Sequence, residues 1–128
     1  MADWGRQAGR VLGDHPSAVI AGLADRALSA VRKADPDAAV ATPFGGIRMR
    51  DYLPTRTLEL AVHGLDLAAA MGLPPTCPPC ALETSLVLCG TLATHTGKAP
   101  GLLLAATGRQ ALPPGFNLLG TPEASLDG

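Results

Sequence analysis

The apolar positions of the chain recur mostly at three- and four-residue steps, and clusters of Gly and Pro interrupt them. The first such stripe predicts an amphipathic helix from about Asp14 to Lys33, with Asp14 as its N-cap and Pro16 in its first turn. The apolar positions of this stripe are Ile20, Leu23, Ala24, Ala27, Leu28 and Val31. An apolar stripe of this width is typical of a helix that packs one face on a core.

Residues 34–49 carry turn signals instead of a helical pattern. The segments 35–37 and 42–46 hold Pro and Gly in combinations that favour turns. Short extended pieces at 38–41 and 47–49 leave a hairpin across Gly45 and Gly46 open as an alternative. The prediction is a Pro/Gly-rich loop.

Three more helices are predicted after this loop, at about 51–71, 80–95 and 101–106. In the first of them Pro54 falls in the first turn, where a missing N–H does no harm, and Gly72 stands where a C-terminal cap is expected. Beyond Arg109 the chain is rich in Pro and Gly and is interpreted as a tail. The pattern therefore predicts an all-α fold with a Pro/Gly-rich loop before its central helix.

Length, composition and charge indicate a single domain and argue against nucleic-acid-binding, membrane-spanning and secreted proteins. The chain has 128 residues, a formal net charge of −1, 47% apolar residues and 3% aromatic residues. One domain spanning 1–128 is expected from this length, and the balanced charge argues against a nucleic-acid partner. Neither a membrane-spanning run nor a signal peptide is recognisable. Three cysteines do not make a disulfide framework, so a cytoplasmic location is expected.

The central helix carries the candidate chemistry. It is apolar on nearly every side, which predicts that it is buried in its domain. Its polar exceptions are spaced three, four and three residues apart, and this spacing places them on one stripe of the helix. They are Arg56, Glu59, His63 and Asp66, called the polar stripe below.

Glu59 and His63 form a Glu-x-x-x-His motif, in which a carboxylate and an imidazole one turn apart can converge on a divalent ion. Arg56 and Asp66 would then orient these two ligands. The alternative is a solvated helix face with local Arg56–Glu59 and His63–Asp66 pairs. Spacing does not separate the two interpretations.

A longer match surrounds this motif. The core is Arg-x-x-Glu-x-x-x-His-Gly-x-Asp-Leu-Ala from Arg56, inside a stretch that extends from Thr42 to Pro74, and a second stretch is Leu-Leu-Leu-Ala-Ala-Thr-Gly-Arg at 102–109. The segment from Trp4 into residues 14–16 adds a weaker match. The chain thereby resembles the mycothiol-dependent maleylpyruvate isomerase family, a branch of the DinB-like metalloenzymes of actinobacteria.

The resemblance implies part of a DinB-like antiparallel helix bundle around a divalent metal, usually zinc. In the family the ligands are the Glu and His of the motif, here Glu59 and His63, and one His from an earlier helix. The metal would activate the thiol of mycothiol, or a similar small thiol, for isomerisation or transfer. Arg109 is a candidate for binding a carboxylate of the thiol cofactor, with a structural role at a helix end as the alternative.

The family's earlier helices have no counterpart ahead of Trp4. We therefore expect a truncated domain, and a homodimer or another chain that supplies the missing helices. The spare histidines, His15 and His95, are interpreted as residues at helix ends. The alternative function is a non-catalytic helical module that self-associates or binds a partner, which leaves enzymatic activity open.

The cysteines suggest one further hypothesis. Cys77 and Cys80 have CxxC spacing, but no strand pattern surrounds them as a thioredoxin-like motif requires. A loop and the start of a helix is the simpler interpretation. A redox switch at this pair would form a reversible disulfide.

Overall fold

The computed structural model describes residues 2–43 and 45–120, so that Phe44 of the matched stretch and the last part of the predicted tail lie outside the described residues. The fold is mostly helical, with 62% helix and a small two-stranded sheet. In chain order the elements are α1 (Ala2–Val11), α2 (Pro16–Lys33), β1 (Ala39–Thr42), β2 (Gly45–Arg48), α3 (Met49–Ala70), α4 (Pro79–His95) and α5 (Ala99–Ala106).

The expectation of an all-α fold with a loop before the central helix is wrong in one respect. β1 and β2 pair antiparallel, with Val40 opposite Ile47 and Thr42 opposite Gly45. Gly45 adopts a φ of +117°, which strongly favours glycine, and the Thr42 hydroxyl donates to the Gly45 carbonyl at 2.7 Å. A hairpin, which the sequence left open as the alternative, is thus observed, but Gly45 and Gly46, across which it was expected to turn, lie in β2.

The first helices differ from the sequence expectation at their ends and in their burial. The periodicity did not single out α1. At α2 the N-cap is His15, not Asp14, and it makes no side-chain capping hydrogen bond. The apolar stripe of α2 is present, but none of its residues is buried, and Ile20 and Leu28 remain 54% and 53% exposed. The helix was predicted correctly, and the burial of its stripe was not.

The chain divides into two compact units, one extending to Met49 and the other beginning at Arg50. The first contains α1, α2 and the hairpin. The second contains nearly all of α3, then α4, α5 and the segment that follows, and it carries the candidate site. In the described part of the chain, no helix combines the length and apolarity needed to cross a bilayer.

Helix α3 begins two residues before the expected start, at Met49, which places Pro54 inside the helix and not in its first turn. Its C-terminus follows the expectation. Gly72 has a φ of +65°, its N–H donates to Ala69, and the N–H of Leu73 donates to the carbonyl of Ala68 at 2.9 Å. This pair of bonds is a Schellman motif, in which a residue with positive φ satisfies the last carbonyls of the helix.

The core of the second unit lies on one face each of α3 and α4. Leu58 and Ala61 are buried on α3, and Ser85 and Ala93 are buried on α4. Several large apolar side chains elsewhere on these helices are exposed, among them Leu60 and Leu67 on α3, so the prediction that α3 is buried on nearly every side is wrong. The buried part of α3 is one stripe, because α3 meets protein on that side and solvent on the other.

Helix α5 and the segment after it close the second unit. Lys98, the N-cap of α5, donates from Nζ to the carbonyl of Asn117 at 2.5 Å. This bond ties the described part of the Pro/Gly-rich segment, interpreted from the sequence as a tail, to the helical part of the unit.

Candidate metal centre

The side of α3 that carries the buried residues Leu58 and Ala61 is called its inner side below, and the opposite side its outer side. The polar stripe lies on the outer side. At about 100° per residue, Glu59 and His63 project from the side of the helix opposite to Leu58 and Ala61. The side chains of Glu59, His63 and Asp66 are 48%, 70% and 73% exposed. The two candidate ligands therefore stand on an open helix face and not in an enclosed cleft.

Glu59 and His63 converge as the i, i+4 spacing predicts. The Nε2 atom of His63 lies 3.3 Å from Oε2 of Glu59. Two donors that share a tetrahedral zinc ion at the usual 2.0–2.1 Å are about 3.3 Å apart. The separation also suits a weak ion pair, since it is slightly longer than the usual hydrogen bond. In donor type and in spacing the pair fits a divalent metal.

Asp66 approaches the other ring nitrogen of His63. Its Oδ2 atom lies 3.9 Å from Nδ1, beyond hydrogen-bond distance. A carboxylate on this side of the ring is the arrangement by which proteins orient an imidazole that binds metal through Nε2.

Arg56 is not turned toward Glu59. Its guanidinium lies over the ring of Tyr52, 5.0 Å from the centroid, and its Nε donates to the hydroxyl of Thr55 at 3.2 Å. Among the described residues no carboxylate lies within 4 Å of the Arg56 guanidinium. The Arg56–Glu59 pair of the solvated-face interpretation is therefore absent, and the Arg56 charge has no acidic partner there.

A third ligand is not supplied within the described residues, where no three His, Cys, Asp or Glu side chains are placed to hold one metal ion. His15 stands at the N-terminal end of α2 and His95 in the last turn of α4, so both lie at helix ends as the sequence indicated. The part of the chain that the structure describes thus offers two donors at this site, whereas catalytic zinc sites use three protein ligands.

Arg109 follows α5 and stands apart from this pair. Its side chain is exposed and its Nη1 donates to the carbonyl of Thr107 at 3.3 Å. Its backbone N–H donates to the carbonyl of Leu104 at 2.8 Å, as part of the turn that ends α5. A role at a helix end agrees with these contacts, and binding of a cofactor carboxylate stays a prediction.

A cavity of about 510 Å³ between α3 and α4 was not predicted from the sequence. Its charged lining residues are Arg50 and Asp51 at the start of α3 and Glu83 on α4. No signal in the sequence relates Glu83 to the other two, because they lie on different helices. The cavity is on the inner side of α3, so it does not form one site with Glu59 and His63.

The cysteines are free thiols. Cys77 is half-buried ahead of α4, and Cys80 is exposed in its first turn. This placement agrees with a loop and the start of a helix, and the redox hypothesis stays a prediction.

Comparison with protein-family models, with curated proteins and with solved structures finds no match to this chain. The resemblance to the mycothiol-dependent maleylpyruvate isomerase family accordingly depends on the motif around Glu59 and His63.

Proposed function

We propose that this chain is a divalent-metal-binding protein of the DinB-like helix-bundle type, in which Glu59 and His63 hold zinc and the metal activates a small thiol such as mycothiol. The observation that supports the proposal is the 3.3 Å separation between Nε2 of His63 and Oε2 of Glu59 on adjacent turns of α3. That separation equals the edge expected between two ligands of one tetrahedral zinc ion, about 3.3 Å.

Three residues of the polar stripe have a defined task in this function. Glu59 and His63 bind the metal, and Asp66 holds the His63 ring in orientation through Nδ1. When bound, the metal keeps the coordinated thiol deprotonated, and the thiolate is the nucleophile for isomerisation or transfer.

The second candidate function is a non-catalytic helical module that associates with another copy or with a partner. It is favoured by exposure, since Leu60, Leu67 and Met71 on the outer side of α3 are 77%, 63% and 69% exposed. In this function the Glu59–His63 contact is an ion pair on the surface and binds no metal.

Metal content separates the two functions. Protein purified without a metal-binding tag is dialysed against buffered zinc, and the bound zinc is measured. The proposal expects stoichiometric zinc in the wild type, none in His63→Ala, and an unchanged amount in His95→Ala, a matched control at the end of α4. A wild type that holds no zinc at micromolar free metal would favour the non-catalytic module.

Thiol activation has its own readout. With Co²⁺ in place of zinc, addition of a small thiol is expected to produce a sulfur-to-metal charge-transfer absorption in the wild type and in His95→Ala. His63→Ala is expected to show none. A cobalt-loaded wild type whose spectrum does not change with thiol would contradict the thiol role while leaving the metal site in place.

A further inference from the structure

The polar stripe is symmetric about its centre if residues of complementary charge are paired, Arg56 with Asp66 and Glu59 with His63. From the N-terminal end they run Arg56, Glu59, His63, Asp66, and the spacing of three, four and three residues is symmetric. The midpoint of Arg56 and Asp66 is position 61, and so is the midpoint of Glu59 and His63. A two-fold axis at the level of residue 61 would therefore set each group against one of complementary type.

The two residues at the ends of the polar stripe, Arg56 and Asp66, make no close ion pair within the described residues. Arg56 has no carboxylate within 4 Å among the described residues, and Asp66 reaches His63 only at 3.9 Å. Both lie near the ends of the stripe, about 15 Å apart along the helix. In an antiparallel pair of α3 helices, Arg56 of each copy lies opposite Asp66 of the other copy, which gives two equivalent charge pairs.

We propose that α3 packs antiparallel against α3 of a second copy of this chain, so that Glu59 and His63 of both copies form one four-donor metal site on the two-fold axis. The chemistry of the donor set supports this. At this site the described part of one copy offers a nitrogen and an oxygen donor, and two copies offer two of each. That number covers the three protein ligands of a catalytic zinc site, and the remaining donor can give way to a thiol. The metal part rests on the proposed function.

Apolar contact accompanies the charge pairing. Leu60 is 77% exposed and lies one residue from position 61, where the two-fold axis crosses the helix. The two copies of Leu60 therefore contact each other next to the axis. Leu67, 63% exposed on the same side of α3, extends the contact toward the helix end. Burial of these side chains contributes association free energy that the exposed ion pairs do not supply.

Charge reversal tests the pairing. Sedimentation of the full chain in the presence of zinc is compared for wild type, Arg56→Asp, Asp66→Arg and the double variant. Either single reversal sets like charges opposite each other and is expected to weaken the dimer at least tenfold. The double variant restores opposite charges and is expected to recover the dimer, whereas Asp25→Arg on α2, the matched control, leaves it unchanged. Circular dichroism of each variant verifies the fold.

Zinc stoichiometry measured on the same samples separates this inference from the proposed function. One zinc per two chains in a dimer supports the pairing and the metal site of the proposed function. One zinc per chain in a monomer overturns the pairing and leaves the proposed function in place. A dimer that binds no zinc and ignores both single reversals overturns both. Failure of the double variant to recover the dimer also overturns the pairing, provided that the variant keeps its helical spectrum.

Discussion

The two sides of α3 are built from neighbouring residues and have opposite surroundings. On the inner side Leu58 and Ala61 are each only 7% exposed, whereas Glu59 and Leu60, between them in sequence, are open to solvent. The inner side stabilises the second unit by burial. The outer side adds little to the fold and carries the groups with metal-binding chemistry.

This difference shows why apolar content alone misjudged the helix. Leu60 and Leu67 are as apolar as Leu58, yet they lie on the side of α3 that carries Glu59, His63 and Asp66. Single exposed apolar side chains are normal on a monomer, whereas apolar side chains that follow one another along one side of a helix, as Leu60, Leu67 and Met71 do, are typical of an interaction surface. The outer side is therefore interpreted as a surface with a binding role.

Truncation of the inner side should give the largest effect. We expect Leu58→Ala to lower the free energy of unfolding by about 2–4 kcal/mol, because it leaves a cavity in a small core. Leu60→Ala should change it by less than about 0.5 kcal/mol in protein diluted to the monomer. Urea unfolding followed by circular dichroism measures both. Equal losses for the two variants would show that the two sides of α3 do not differ.

Metal should stabilise the fold through the outer side. With free zinc at one hundred times the dissociation constant, the wild type should gain about 2.7 kcal/mol, since ligand binds the folded state preferentially. His63→Ala should gain nothing, and His95→Ala should behave as the wild type. Thermal melts at several zinc concentrations provide the comparison. An equal shift in all three proteins would place the metal elsewhere.

Removal of the buried hydroxyl of Ser85 should raise the free energy of unfolding, by less than Leu58→Ala lowers it. Ser85 is 7% exposed and its Oγ has no hydrogen-bond partner among the described residues. Ser85→Ala removes an unpaired polar atom from the core, and we expect unfolding to cost about 1 kcal/mol more. The test is a rise in the urea midpoint at unchanged slope. A loss of stability would mean that Oγ has a partner in solution.

The smallest effect belongs to the Glu59–His63 contact without metal. Ion pairs on open helix faces contribute about 0.3–0.5 kcal/mol. In chelated protein, Glu59→Gln should therefore move the free energy of unfolding by no more than this. A loss above 1 kcal/mol would assign the contact a structural task and weaken the proposal that it is kept for binding metal.

Much of the local structure was predictable from the sequence because it depends on neighbours in the chain. Gly72 ends α3 through bonds to residues within one turn, and the i, i+4 spacing brings Glu59 to His63. The hairpin was harder, since Gly45 and Gly46 favour a turn by composition and yet pair with β1 as strand residues. Burial was hardest, because the stripe of α2 and the inner side of α3 have the same pattern and differ only in what packs on them.

In the candidate site, too, the features that depend on neighbours in the chain were predictable and those that depend on packing were not. The sequence predicted the polar stripe and the convergence of its two ligands. It did not predict that Arg56 turns to Tyr52, or that a cavity forms beside Arg50, Asp51 and Glu83, because these depend on side-chain rotation and on packing between helices. The resemblance at the motif supplies the proposed chemistry.

X-ray absorption at the zinc edge tests the central claim most directly, namely that the outer side of α3 binds metal through Glu59 and His63. We expect a first shell of nitrogen and oxygen at about 2.0–2.1 Å, with imidazole scattering that disappears in His63→Ala. A shell that contains sulfur at about 2.3 Å, or a spectrum unchanged by His63→Ala, would assign the metal to the cysteines or to another surface and contradict the claim.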